Sequence, residues 1–199
     1  DRIVQLFGVS KWKPVLSLLP AQLDSAAPPA ALAWVQDSLK ERIVRARGYV
    51  AAHPDLPDIR VAMPEGASSR LLFAALADDW RRIGVKARLV APNAPADLRL
   101  IDDVAPQSSA LWYLARVSCA RKMPCSAPGE AALNAIGSAT TQEERATAIA
   151  EADAAFASNQ PYLPIALPLR WSLVGPQLTG WRASAFAIHP LQHLRPPQR

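Results

Sequence analysis

The chain of 199 residues is half hydrophobic, enough to bury a substantial core, and its length suits one large domain or one lobe of a larger protein. Its net charge of +5 comes from 22 basic and 17 acidic residues that are scattered rather than blocked. No nucleic-acid partner is expected: the densest basic stretch, Lys40 to Arg47, carries Glu41 and lacks interleaved aromatics. There is also no run of about eighteen apolar residues for a spanning helix.

The opening Asp1-Arg2-Ile3-Val4, without an initiator methionine, reads as a processed product or a truncated chain from which any leader has gone. Residues 2 to 7 read as the end of a helix stopped at Gly8, followed by a loop of Lys11, Trp12, Lys13 and Pro14 and an extended apolar piece from Val15 to Leu19. Pro20 to Pro29 is loop. A helix is predicted from Ala30 to Arg47, with Leu32, Val35, Leu39, Ile43 and Ala46 on one face and Gly48 closing it.

The clearest unit runs from Ile59 to Val90. Ile59, Val61 and Met63 alternate with polar or small residues, the period of a strand with one buried face, and Pro64 with Gly66 ends it. Ser68 or Ser69 can cap a helix whose stripe is Leu72, Leu76, Trp80 and Ile83, and Gly84 supplies a left-handed exit. Val85, Ala87 and Leu89 then alternate with Lys86 and Arg88, which completes a right-handed βαβ crossover. The turn Pro64-Glu65-Gly66 has no phosphate-binding glycine pattern, so a nucleotide is not expected there.

A third strand is predicted from Asp97 to Val104, then a helix from Ser109 to Val117 that carries Trp112 and Tyr113. The loop Ser118 to Pro128 holds both cysteines. Two helices follow, Glu130 to Ile136 and Thr141 to Ser158; the second opens on Thr-Gln-Glu-Glu, a capping-box pattern, and turns Ala146, Ile149, Ala152 or Asp153, and Phe156 inward. The proline-punctuated tail reads as extended chain with edge strands.

Little here points to catalysis. No GxSxG elbow is present, and no serine, histidine and aspartate are arranged for nucleophilic attack, so no catalytic residue and no cofactor is expected. His189 and His193 have a metal-like spacing, but Pro190 intervenes and a third ligand is lacking; no metal site is expected. Cys119 and Cys125 stand in a loop that a local disulfide can close, two free thiols being the alternative; a bridge implies an oxidising compartment. Asp102 and Asp103 are adjacent and would face opposite ways in a strand, so they are not a carboxylate pair, although one of them near a strand end can meet a ligand. Trp112, Trp171 and Trp181 are the aromatics that helix stripes explain least, and such side chains serve either a core or a ligand wall.

Taken in order, the segments Asp1 to Phe7 (DRIVQLF), Ala46 to Tyr49 (ARGY), Trp80 to Val90 (WRRIGVKARLV), Ala96 to Asp103 (ADLRLIDD), Thr141 to Pro168, Trp171 to Trp181 and His189 to Leu194 resemble the C-terminal lobe of bacterial extracellular solute-binding proteins of family 5. These are the dipeptide, oligopeptide and nickel binders that feed ABC importers. The resemblance implies an α/β, periplasmic-binding-protein-like (type II) lobe, a mixed sheet flanked by helices. It further implies a periplasmic, non-enzymatic protein whose N-terminal lobe is missing, with residues 1–170 forming the C-terminal lobe and 171–199 an extended tail that would pack on the missing lobe. Its partners would be a peptide or other small solute and ABC permease subunits, which are its only link to a membrane, and the exposed tail invites self-association. Because ligand sits beyond the carboxyl ends of strands in such folds, Asp102 or Asp103 is expected to touch it, with Trp112 and Trp171 as walls; an aspartate there favours an amine-bearing solute. The family's strand often ends in a Gly-Trp-x-x-Asp stretch, whereas Ile101-Asp102-Asp103-Val104-Ala105-Pro106 stands here, which leaves the solute open. The same lobes occur fused to DNA-binding segments, so an effector-sensing domain of a transcriptional regulator is the alternative.

Overall fold

The computed structural model describes residues 3, 5, 8, 14–21, 23–121, 124–167, 172–184, 186 and 188–196, and the chain divides into two compact units. The first comprises Asp1–Lys11 and Trp34–Asp102, the second Trp12–Ala33 and Asp103–Arg199.

In the first unit, a 3-10 turn at Ala33–Gln36 precedes helix α1, Leu39–Ala52. This helix starts nine residues later than its apolar stripe predicts and runs past Gly48. The reason is a capping box: the Ser38 hydroxyl accepts the Glu41 amide proton at 3.3 Å, and the Glu41 carboxylate accepts the Ser38 amide proton at 2.8 Å. Strand β1, Ile59–Ala62, helix α2, Ala67–Arg82, and strand β2, Ala87–Val90, form the expected crossover, with β1 and β2 parallel and in the register Ile59↔Ala87 to Ala62↔Val90. Neither serine caps α2. Gly66, at φ 141°, takes the N-cap position and its carbonyl accepts the Arg70 amide, which places Ser68 and Ser69 inside the first turn.

Leu72 is buried with Val61 and Met63, and Phe73, Leu76 and Trp80 pack against them. Gly84 exits at φ +91°, and a side chain there would also stand 3.1 Å from Val50. Strand β3, Leu98–Arg99, pairs parallel with the other edge of β1, giving the order β2-β1-β3. Being central, β1 buries Val61 and Ala62 in succession, with Met63 just beyond it also buried, so at this end it has two buried faces rather than one. The predicted third strand survives only as these two residues and Leu100, whose amide donates to the Ala62 carbonyl. Asp97 fastens β3 to β1: its carboxylate accepts the Arg60 amide at 2.8 Å and the Arg60 guanidinium at 2.7 Å, and that pairing holds the carboxyl well below its usual range. The amide of Gly8, at φ 65°, donates to the Gln5 carbonyl, although most of the predicted first helix lies outside the described residues.

The second unit is helical. Helix α3, Ala110–Leu114, continues as a 3-10 turn through Val117; helix α4, Ala127–Ser138, and helix α5, Gln142–Asn159, follow. Ser109 and Ser126 cap the first two, and Thr141 with Glu144 forms the predicted capping box of the third. Leu114, Ile136, Ile149, Ala152 and Phe156 are withdrawn from solvent in one cluster with Leu19. The chain before α1 joins this unit through backbone contacts: Val15 donates to the Ile165 carbonyl, Ser17 bridges Ala31, and Ala26 donates to the Ala146 carbonyl. Among the described tail residues, Thr179 and Arg195 form an antiparallel bridge.

One member of the α5 face is charged. Asp153 is 2% exposed and accepts the Ala30 amide proton at 2.7 Å, while its second oxygen has no hydrogen-bond partner. Burial raises its pKa and the Ala30 bond opposes the rise only in part; burial, then the Asp153 charge, raises Tyr162 as well. A carboxyl whose folded pKa lies above its unfolded value stabilises most below the unfolded value, and that contribution is lost as pH rises through the folded one. Asp153→Asn keeps an acceptor for Ala30 without the charge. Urea unfolding at a series of pH values is therefore expected to show the wild type losing stability relative to Asp153→Asn as pH rises from the ordinary carboxyl range upward. Parallel pH curves for the two proteins would contradict this.

Candidate functional site

Helix α3 is short, and its two faces are divided. Ala110, Leu114 and Val117 are buried in the core of the second unit, which fixes the helix and leaves Trp112 and Arg116, at i and i+4, side by side on another face. The Ser109 hydroxyl accepts the Trp112 amide proton at 3.4 Å, so the cap and the aromatic are set by the same turn. The Arg116 guanidinium lies over the Trp112 ring at 4.3 Å, within cation–π range, and donates to the Asp103 carboxylate at 2.8 Å. Tyr113 stands edge-on to Trp112 at 5.0 Å, packs against the core, and has its pKa raised by burial.

The structure thus brings together Asp103 and Trp112 of the predicted ligand residues, and adds Arg116. Asp103 does not present a bare carboxylate to an amine, since Arg116 already neutralises it. Asp102 is exposed and closes the first unit, and Trp171 lies outside the described residues. Arg116 was legible as a Trp-x-x-x-Arg pair on one helical face, a spacing that the sequence reading passed over.

Immediately after this helix, Ser118 donates to the Ala115 carbonyl, and Cys119 and Cys125 form a disulfide with their Cα atoms 4.8 Å apart. The loop is also tied to both later helices: the Cys119 amide donates to the Glu130 carboxylate at 2.6 Å, and the Asn159 side-chain amide donates to the Pro124 carbonyl at 3.2 Å. Closing so short a loop contributes about 2 kcal/mol in the chain-entropy model, enough to pin the segment and not enough to specify the fold.

Among the described residues, two concavities lie elsewhere. One of about 370 Å³ is formed by Leu19 to Ala21, Leu23 and Ser25 to Pro29, with Ser25 its one polar side chain. The other, about 160 Å³, lies in the first unit near His53, Asp58 and Lys86. Neither contains Asp103, Trp112 or Arg116. Among the described residues no three His, Cys, Asp or Glu side chains gather where they could hold a metal, and no helix is long and apolar enough to cross a membrane.

No protein-family model matches the sequence, and no curated protein does either. Solved structures do match. OppA of Burkholderia pseudomallei superposes with a TM-score of 0.73 at 13% identity, over 94% of this chain and 41% of that protein. MppA of Escherichia coli, a murein tripeptide binding protein, gives 0.67 at 16% identity, over 90% of this chain and 42% of its own. The unliganded open form of MppA, described as a periplasmic murein tripeptide binding protein, gives 0.68 at 16% identity, over 88% and 38%. The chain spans about two fifths of each of these proteins. At such identities the likeness establishes the fold: the chain is an α/β lobe of the type II periplasmic-binding-protein kind, as the sequence segments imply.

Proposed function

We propose that this chain is the C-terminal lobe of the substrate-binding component of an ABC importer, capturing a peptide-like or other small solute in the periplasm without chemical conversion. The observation that carries the proposal is the superposition of nearly the whole chain on about two fifths of binding proteins, one of them named for a murein tripeptide. Solute would meet Trp112 and the Asp103 and Arg116 side chains beside it, Asp102 and Trp171 being further candidates, and permease subunits would receive the loaded protein. The Cys119–Cys125 disulfide supports export over the alternative, an effector-sensing domain of a cytoplasmic transcriptional regulator. A thermal-shift screen of peptides and small organic acids against a two-lobed protein carrying this chain tests the reading: one or more solutes are expected to raise the melting temperature, as any ligand bound only by the native state does. A library that leaves it unmoved while a DNA operator is bound instead would favour the regulator.

In the same reading, residues 171–199 are the tail that packs on the second lobe. Leu173 is fully exposed, and Ile188 and Leu191 are more than 60% exposed, an apolar surface that rarely stays bare. This chain alone is therefore expected to self-associate with rising concentration and to take up a hydrophobic dye. Sedimentation across a concentration series together with dye fluorescence checks it; a strict monomer without dye uptake would remove the tail's proposed role.

A further inference from the structure

Resting on the solute-binding reading above, we propose that Arg116 is the specificity-determining residue of the Trp112 patch, and that the patch receives a carboxylate rather than an amine. Asp103 is the acid that a cationic solute would seek, yet its Oδ2 already accepts from the Arg116 guanidinium at 2.8 Å, and the pair is neutral. An incoming ammonium must either displace Arg116, which the Trp112 ring holds on its other side at 4.3 Å, or take the remaining Asp103 oxygen against the repulsion of that guanidinium. Displacement therefore breaks two interactions to make one. A carboxylate need displace nothing, and competes with Asp103 for the guanidinium only through an exposed ion pair. The guanidinium carries five N–H groups in a fixed fork, of which Asp103 engages one nitrogen, and a planar anion is suited to the remaining edge. The Arg116 side chain is 29% exposed, so that edge is within reach of solute, while the stacked ring restricts how the fork turns. Trp112 and Tyr113, set edge to face, offer an apolar flank for whatever the carboxylate is attached to.

The test uses this chain, isotopically labelled, with the Trp112 indole N–H resonance identified through Trp112→Phe. Two probes divide the chemistry: N-acetylglycine, which has a carboxylate and no amine, and glycinamide, which has an amine and no carboxylate. In the wild type, N-acetylglycine is expected to shift the Trp112 resonance at millimolar concentration and glycinamide to leave it unmoved. In Arg116→Met the response reverses, because Asp103 is freed and the fork is gone. In Asp103→Asn the acetylated probe is expected to bind about fivefold more tightly, the scale of one exposed ion pair released from competition. Glycinamide shifting the wild-type resonance as strongly as N-acetylglycine would overturn this inference and leave the solute-binding reading in place. Silence from both probes in the wild type and in both variants would overturn the inference and the assignment of the patch together.

Discussion

Replacing Phe156 with alanine is expected to lower the unfolding free energy of the second unit by about 3 to 5 kcal/mol, the range for emptying a fully buried aromatic site. Phe156 is wholly withdrawn from solvent, and the cluster around it draws on α3, α4 and α5 together with Leu19 from the chain before α1. The ring is closely confined. One contact explains why: Gly129 of α4 lies so close to the ring that a Cβ there would stand 2.7 Å from Phe156 Cε1, closer than carbon atoms approach. The small residue on one helix and the large one on the other are a matched pair. Gly129→Ala alone is accordingly expected to cost about 1 to 3 kcal/mol by overpacking. In a Phe156→Leu background the same substitution should cost less, because the shorter side chain gives way, so the two effects will not add. Urea denaturation followed by circular dichroism measures the wild type and all four variants. A loss below about 1 kcal/mol for Phe156→Ala would contradict the placement of this ring at the centre of the core.

Much of this core could be read in advance because its signals are local. The Thr141 to Glu144 capping box fixes where α5 begins, and the spacing from there brings Ile149, Ala152 and Phe156 onto one face whatever the rest of the chain does. The same holds for the strand, helix and strand from Ile59 to Val90, where alternation, a helical stripe and a left-handed glycine follow in order. The misreadings arose where tertiary structure competes with a local pattern. Leu32 seemed to extend the stripe of α1 upstream, but it is buried and belongs to the second unit, while the Ser38 and Glu41 box, equally visible in the sequence, marks the true start. Position in the sheet, not alternation, decides that β1 buries residues on both faces.

Asp103 and Trp112 stand out in the sequence because a strand end and a helix start are expected there, and a fold rule places ligands at such points. That Arg116 reaches back across thirteen residues to Asp103 depends on the exact course of the chain from Val104 to Ser109, which has neither helical nor strand periodicity. The disulfide was one of two open outcomes from spacing, and the 4.8 Å approach of the two Cα atoms settles it in the structure.

The second large effect concerns affinity. A lobe that supplies one wall of an enclosed site lacks the opposing contacts, and closure of two lobes about a hinge is what excludes water and adds the second set of hydrogen bonds. This chain alone is therefore expected to bind at least about 100-fold more weakly than a two-lobed protein that carries it, a difference of roughly 3 kcal/mol. In the proposed reading the polar contacts of this chain are necessary but not sufficient, since a solvent-exposed carboxylate or guanidinium exchanges one set of hydrogen bonds for another with little net gain. Calorimetry with a library of peptides and small carboxylates, run on this chain, on the two-lobed protein and on its Trp112→Ala, Arg116→Ala double variant, tests the solute-binding account most directly. The account predicts micromolar or tighter capture by the two-lobed protein only, lost in the double variant; micromolar binding by this chain alone, or capture unaffected by the two substitutions, would contradict it.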